Sequence, residues 1–216
     1  MSRTRIKFCG IRRRQDADAA VDLGVDAIGF VLVPGSKRHI TIEDAARIRE
    51  RLPPLVTTVA LFKDADGQQV QDAIDVLQPD LLQFHGAEDA AFCASFGRPY
   101  VKAIALGEGG RLGASVRTFR AARALLLDGN APGAMGGLGK AFDWKAQAAA
   151  VAKLKQPVIL AGGLNPDNVA QGIKALRPYA VDVSSGIEAR PGVKDLNQMR
   201  AFVQAVRRAD EKLKKT

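Results

Sequence analysis

Hydrophobic and polar positions follow two alternating patterns along the chain. Short, almost continuously apolar runs are typical of buried parallel strands, and longer segments with apolar residues every three or four positions are typical of amphipathic helices. The strand-like runs are Arg5–Cys9, Ala27–Leu32, Leu55–Phe62, Leu81–His85, Tyr100–Leu106, Leu125–Asp128, Val158–Ala161 and Tyr179–Ser184. The helix-like segments are Asp16–Leu23, Ile42–Arg51, Gln68–Leu77, Glu88–Phe96, Arg117–Arg123, Trp144–Leu154, Asn168–Leu176 and Leu196–Leu213. The alternation predicts an α/β fold, a (β/α)8 TIM barrel with an eight-stranded parallel sheet, in preference to an open doubly wound sheet.

No change of composition divides the chain, so residues 1–216 are predicted to form a single TIM-barrel domain. The richest glycine stretch, Gly129–Gly139, follows the sixth strand. A linker there would split a compact domain, and we therefore interpret the stretch as a functional loop.

Charge and cysteine content narrow the class of protein. The net charge is +9, but no basic stretch is interleaved with aromatic residues, which favours attraction of a small anionic substrate over nucleic-acid binding. Two cysteines do not form a disulfide framework, so a cytoplasmic protein is expected. The first ten residues lack a signal-peptide pattern and no run is apolar enough to span a bilayer, so no membrane partner is expected.

Two glycine-containing turns follow the last two predicted strands. Gly162 and Gly163 follow the seventh strand, and Ser184, Ser185 and Gly186 follow the eighth. Glycine lets backbone N–H groups approach an anion closely, and barrels of this type bind phosphate after strands seven and eight. The pair of turns predicts a phosphate site.

Two strand ends carry the candidate acid and base. Alternation along the first strand places Lys7 and Cys9 inside the barrel, where the nearby cation is expected to lower the pKa of the thiol. Asp128 follows three leucines, and a carboxylate in that context is costly to bury without a role. Capping of a turn is the alternative for Asp128, and Cys93, in a helical pattern, is interpreted as structural.

Two further polar residues are predicted to lie in the barrel, one in its interior and one at its rim. Asp182 on the eighth strand is predicted to face inward and to pair with Lys7, because strands one and eight are neighbours in a closed barrel. His85 is either an active-site residue or a polar residue satisfied at the rim. No metal site is expected, because the chain has two histidines and no recognised ligand spacing.

Taken together, these residues resemble the phosphoribosylanthranilate isomerase family of tryptophan biosynthesis. The matching segments are Lys7–Ile11, Gly29–Val31, Pro34–Arg38, Gln83–Gly86, Leu127–Asp128, Gly136–Trp144, Ala161–Leu164 and Val181–Glu188. They occur in order along nearly the whole chain, although the Gly-Gly-Leu and Ser-Ser-Gly motifs alone are shared by several phosphate-binding barrels. Two positions depart from the family pattern, with Lys37 in place of a proline and Leu138 in place of a threonine.

The resemblance implies an Amadori rearrangement of a phosphorylated aminoaldose, without a cofactor. A monomer or a homodimer is expected, and no pattern in the sequence favours either. It assigns Asp128 as general acid and Cys9 as general base. Arg38 is expected to pair with the anthranilate carboxylate, for which its planar fork is suited. The other residues expected to bind substrate are His85, Asp182, Gly162, Gly163, Ser184, Ser185 and Gly186.

Other protein classes remain as alternatives. A histidine-pathway isomerase is expected to carry an aspartate where Cys9 stands, and indole-glycerol-phosphate synthase needs a catalytic lysine and a longer N-terminal extension. A non-enzymatic phosphate-binding barrel would need no acid and base at its mouth, and a nucleic-acid-binding protein would show steep salt dependence.

Overall fold

Eight parallel strands close into a barrel in which each strand pairs with the next and β8 pairs with β1. The structure is a computed structural model that describes residues 3–106, 112, 115–129 and 143–214. The barrel strands are β1 (Arg5–Cys9), β2 (Ala27–Val31), β3 (Thr57–Phe62), β4 (Leu81–Phe84), β5 (Tyr100–Ala105), β6 (Ala124–Asp128), β7 (Val158–Ala161) and β8 (Ala180–Val183). The predicted (β/α)8 fold is therefore confirmed.

Helices alternate with these strands on the outside of the barrel. They are α1 (Arg14–Asp22), α2 (Ile42–Arg49), α3 (Gly67–Val76), α4 (Ala90–Ala94), α5 (Ser115–Thr118), α6 (Trp144–Val151), α7 (Val169–Leu176) and α8 (Leu196–Lys214). Within the described ranges, no helix combines the length and apolar character that crossing a bilayer requires.

Several element boundaries differ from the prediction for local reasons. β3 begins at Thr57 and not at Leu55, because Leu55 is fully exposed and adopts a φ of 75° that a strand does not accept. α4 begins only after Asp89, whose side chain accepts a hydrogen bond from the Phe92 N–H and caps the helix. The predicted helix at 117–123 is wrong in its bounds, since α5 ends at Thr118.

A small hairpin between β8 and α8 was not predicted. After a 3₁₀ turn (Ser185–Ile187), β9 (Glu188–Arg190) pairs antiparallel with β10 (Val193–Lys194). Strands of three and two residues are too short to show a hydrophobic period. The hairpin places Lys194 opposite Glu188.

Side chains on the barrel strands alternate between two separate apolar layers. Ile6, Phe8, Val181 and Val183 belong to the core cluster between barrel and helices. The barrel interior contains its own cluster, formed by Val101, Ala103, Ala124, Leu126, Ile159, Ala161 and Ala180. This parity directs polar residues at alternate positions of β1 and β8 into the barrel, as predicted.

Candidate functional site

A cavity of about 530 Å³ opens at the C-terminal ends of the barrel strands. Nine of the ten predicted site residues line it: Cys9, Arg38, His85, Asp128, Gly162, Gly163, Asp182, Ser184 and Ser185. A second cavity, of about 640 Å³, is lined by residues such as Thr4, Pro157 and Tyr179, which precede their strands, and by none of those ten. The predicted residues therefore converge at the end of the barrel where such enzymes carry their active sites.

Gly186, the tenth predicted residue, joins the two turns that follow β7 and β8. A Cβ atom there would lie 1.9 Å from the carbonyl oxygen of Leu164, so no larger residue fits. In the turn after β7, Gly162 and Gly163 adopt φ values of 79° and 67°, which favour glycine. The Asn168 side chain donates to the Gly163 carbonyl at 2.8 Å and fixes this turn.

Ser184 is a polar residue of the turn after β8, and it belongs to the predicted phosphate site. Its Oγ atom is buried and has no hydrogen-bond partner within the described part of the chain. Its carbonyl accepts a hydrogen bond from Lys194 Nζ at 3.0 Å. An unpaired buried hydroxyl in a cavity wall is available to a ligand.

Cys9 and Lys7 share a space that exists because β2 carries a glycine opposite them. A Cβ atom at Gly29 would lie 2.9 Å from Cys9 Sγ and 3.0 Å from Lys7 Nζ. Gly29 lies in one of the matching segments, but this role is not predictable from its position there. Any side chain at this position would displace the thiol or the ammonium group.

The predicted ion pair between Lys7 and Asp182 is present, with Nζ and Oδ1 2.9 Å apart and both side chains buried. Lys7 lowers the pKa of the Cys9 thiol, as predicted, but the other effects on this pKa outweigh it. Burial raises the pKa of the Cys9 thiol, and Lys7 and Lys194 lower it too little to compensate, since Asp182 also raises it. The pKa of Cys9 therefore lies above its ordinary value.

Asp128 is buried at the end of β6 between two neighbours. Its Oδ2 lies 3.0 Å from His85 Nε2, and a Cβ atom at Gly162 would lie 2.5 Å from its Oδ1. The Gln83 amide nitrogen lies 3.4 Å from His85 Nδ1. An imidazole protonated on Nε2 would accept from the Gln83 amide at Nδ1 and donate to Asp128. His85 thus contacts the candidate acid directly, which the sequence did not predict.

Arg38 is held by a carboxylate of the protein. Its Nε donates to Glu188 Oε1 at 2.8 Å and its Nη2 to Oε2 at 2.7 Å. Lys194 Nζ contacts the same Oε1 at 3.0 Å. Burial raises the pKa of the Glu188 carboxyl, but hydrogen bonds from Arg38 and the nearby Lys194 outweigh it and hold that pKa below its ordinary value. Burial lowers the pKa of Lys194, and Glu188 offsets this only in part.

Glu188 and Lys194 are not among the site residues predicted from the sequence. Glu188 closes the last recognised motif and carries an acidic group directly after the β8 turn, which is a usable signal. Lys194 stands in no motif. The departure at Lys37 lies in the loop before Arg38, where the Lys37 carbonyl accepts a hydrogen bond from Arg12 at 3.2 Å. Leu138 and the rest of residues 130–142, most of the predicted functional loop, lie outside the described residues.

The loops after β3 and β4 are tied together by one buried carboxylate. Glu88 accepts hydrogen bonds from the backbone N–H groups of Asp64 at 2.8 Å and Gly86 at 2.9 Å. Lys102 on β5 contacts Glu88 at 2.7 Å and also donates to the Gly86 carbonyl at 2.8 Å. These contacts fix the rim of the cavity next to His85.

Metal ligands do not gather anywhere in the described ranges: no group of three or more His, Cys, Asp or Glu side chains is arranged to hold an ion. The chemistry that the cavity offers is proton transfer, from a buried thiol and a buried carboxylate in one enclosed space.

Sequence comparisons with known proteins all point to one family. A sequence model of the N-(5'-phosphoribosyl)anthranilate (PRA) isomerase family matches residues 6–205. N-(5'-phosphoribosyl)anthranilate isomerase from Stenotrophomonas maltophilia is 47% identical over 212 residues, covering 96% of this chain and 95% of the relative. The Pseudomonas fluorescens protein of the same name is 48% identical over 207 residues, covering 96% of this chain and 100% of the relative.

Solved structures give the same result. Phosphoribosyl anthranilate isomerase from Thermotoga maritima superposes with a TM-score of 0.87 at 36% identity, covering 94% of this chain and 98% of that one. A phosphoribosyl anthranilate isomerase in complex with reduced 1-(o-carboxyphenylamino)-1-deoxyribulose 5-phosphate matches with a TM-score of 0.84 at 34% identity and the same coverage. Monomers generated from the dimeric Thermotoga maritima enzyme match with a TM-score of 0.80 at 34% identity, again with that coverage.

Proposed function

The chain belongs to the N-(5'-phosphoribosyl)anthranilate isomerase family, and from this we propose that Cys9 and Asp128 divide the proton transfers of its reaction between them. The enzyme isomerises N-(5'-phosphoribosyl)anthranilate to 1-(2-carboxyphenylamino)-1-deoxyribulose 5-phosphate in tryptophan biosynthesis. The observation that carries the assignment of roles is the presence of a buried thiol and a buried carboxylate in the wall of one cavity.

Asp128 is the general acid in this proposal. It gives its proton to the ring oxygen of the ribose while the C1′–oxygen bond breaks, which opens the furanose to an iminium ion. The contact with His85 and the close approach of Gly162 hold the carboxyl group in a fixed orientation. A fixed donor needs little reorganisation during the proton transfer.

Cys9 is the general base. As thiolate it takes the proton from C2′ of the iminium ion, which leaves an enolamine that tautomerises to the aminoketone product. Lys7 lies beside the thiol and stabilises its anionic form, and the pair with Asp182 keeps Lys7 in place. The raised pKa of Cys9 makes the thiolate scarcer at neutral pH and more basic once formed.

The phosphate and the carboxylate of the substrate are assigned to different groups in the cavity wall. We assign the 5-phosphate to the turns of Gly162 with Gly163 and of Ser184–Gly186, where the left-handed glycines and the unpaired Ser184 hydroxyl support an anion site. Arg38 binds the anthranilate carboxylate. His85 acts on the substrate through the acid, Asp128, which it contacts. Asp182 acts through the base, Cys9, because it holds Lys7 beside the thiol.

We further propose one cytoplasmic barrel domain that spans residues 1–216 and acts as a monomer or homodimer. The two unpaired cysteines fit a reducing compartment. The monomeric and dimeric forms of the Thermotoga maritima relative support either assembly. A small phosphorylated substrate remains the expected partner, with no nucleic acid or membrane.

The proposed activity is tested by following the fluorescence of freshly prepared N-(5'-phosphoribosyl)anthranilate in the presence of the enzyme. We expect its consumption to depend on enzyme concentration and to yield the aminoketone. If the protein only bound this ligand, the substrate would raise the melting temperature of the protein, but its fluorescence would decay at the uncatalysed rate. That result would contradict an isomerase.

Replacing Arg38 by alanine is expected to weaken substrate binding more than catalysis. Hydrogen bonds to charged groups contribute about 1.5–3 kcal/mol, so KM should rise at least about tenfold. Arg38 is assigned to the anthranilate carboxylate and takes no proton in the proposed steps, so kcat should change less than KM. Steady-state kinetics check this, with Arg47→Ala as a control that removes an exposed cation from α2. A collapse of kcat at unchanged KM would rule out the carboxylate anchor.

A further inference from the structure

Arg38 uses one of its two bidentate edges inside the protein. The edge formed by Nε and Nη2 is bound to Glu188. A guanidinium group has a second such edge, formed by Nη1 and Nη2. Among the described residues, none accepts a hydrogen bond from Nη1, and Arg38 lines the cavity. The protein thus uses the Nε–Nη2 edge of Arg38, the inner edge, and leaves the Nη1–Nη2 edge for a planar anion.

The aliphatic stem of Arg38 is confined as well. A Cβ atom at Gly10 would lie 2.9 Å from Arg38 Cδ and 3.2 Å from its Cβ, so the stem packs directly over the glycine backbone. Gly10 has a φ of 74°, which favours glycine at this position. With its stem on Gly10 and its inner edge on Glu188, the guanidinium group has a defined orientation.

Glu188 is itself held by Lys194. The side chain of Glu188 is 4% exposed and that of Lys194 is fully buried, with Nζ and Oε1 3.0 Å apart. The β9–β10 hairpin brings the two residues opposite each other. Because Glu188 faces two cationic side chains, its charge does not cancel that of Arg38, and an anion approaching the free edge is still attracted.

We infer that Glu188 is a positioning residue that presents the free edge of Arg38 to the substrate and so makes the enzyme selective for aminoaldose phosphates with a carboxylate on the aryl group. Lys194 anchors Glu188 and preserves the positive charge of the pair. The inference rests on the proposed role of Arg38 as the carboxylate anchor.

Binding of two matched ligands tests the inference without turnover. The first is reduced 1-(o-carboxyphenylamino)-1-deoxyribulose 5-phosphate, and the second is the same compound without the carboxyl group. In Glu188→Gln the amide turns one acceptor into a donor that faces the N–H groups of Arg38. The preference is the ratio of the affinities for the carboxylated and the carboxyl-free ligand. We expect it to be about tenfold or more lower in Glu188→Gln than in the wild type, because residues in one ion-pair network are coupled by energies of that size. Affinity for the carboxyl-free ligand should stay unchanged.

Further variants separate positioning from a structural role. In an Arg38→Ala background, Glu188→Gln should have no additional effect on the preference. Lys194→Met should lower the preference as Glu188→Gln does, in addition to any loss of affinity for both ligands through its contact with the Ser184 carbonyl. Glu43→Gln removes an exposed carboxylate from α2 and should leave it unchanged. In Glu188→Gln, equal weakening of both ligands or an undiminished preference would overturn the inference. Lack of turnover by the wild type would instead contradict the proposed function, since these measurements use binding alone.

Discussion

The Cys9→Ser variant is expected to fold normally, to bind product and to lose at least about a hundredfold in kcat, the lower range for one general base. Serine keeps the shape of the side chain and fits the space beside Gly29, but its hydroxyl is a far weaker acid than a thiol. Lys7 then lies next to a group that supplies almost no anion to accept the C2′ proton. Steady-state kinetics beside thermal melts measure both parts of this expectation.

The second cysteine supplies the control for Cys9→Ser. Cys93 is also fully buried, but it lies on α4 among the core side chains outside the barrel. Cys93→Ser should therefore keep its kcat even if its melting temperature falls. Near-wild-type kcat in a correctly folded Cys9→Ser variant would remove Cys9 from the role of base.

The pH dependence of the wild type gives a second measure of the base. Burial holds the pKa of Cys9 above its ordinary value of about 8.5. The thiolate fraction therefore grows as pH rises through the neutral and mildly alkaline range, and kcat/KM should rise with it. A profile that is already flat at neutral pH would contradict a base whose pKa lies above its ordinary value.

Asp128→Asn is expected to cost at least about a hundredfold in kcat, because an amide has no acidic proton to give to the ring oxygen. Asparagine has nearly the same volume, and its carbonyl oxygen can still accept from His85. The variant should therefore retain its fold and its affinity for the product. Loss of kcat with unchanged product binding would distinguish a lost acid from a damaged cavity.

A carboxylate at the opposite end of the barrel serves as the control for Asp128→Asn. Asp80 precedes β4 and accepts hydrogen bonds from the backbone and hydroxyl of Thr58, both at 2.7 Å. Asp80→Asn should lower the melting temperature and leave kcat unchanged. If Asp128→Asn kept its activity as well, the acid would have to be sought elsewhere in the cavity.

The parts of the site that follow from strand periodicity were predictable from sequence. A period of two places Lys7 and Cys9 on one face of β1 and Asp182 on the same face of β8, and closure of the barrel brings these strands together. The ion pair between Lys7 and Asp182 needs no further information. The same holds for the strand ends at His85 and Asp128, because parallel strands present their C-terminal ends at one rim.

The parts that depend on exact packing were not predictable. Arg38 and Glu188 are 150 positions apart and meet through a hairpin too short to show a period. The pKa of Cys9 is set by burial and by nearby charges of both signs. A lysine two residues away in the sequence therefore does not show whether this pKa is raised or lowered. The contact of His85 with Asp128 depends on side-chain orientations across the barrel mouth.

The buried Glu88 has a consequence for how the substrate is received. It fixes the backbone of the loops after β3 and β4, and Lys102 secures it from β5. Loops ordered in this way lose their conformational entropy when the chain folds, before any ligand arrives. The rim beside His85 therefore contributes little ordering cost to the affinity for substrate, and the free energy of its contacts is available for orienting the sugar towards the acid.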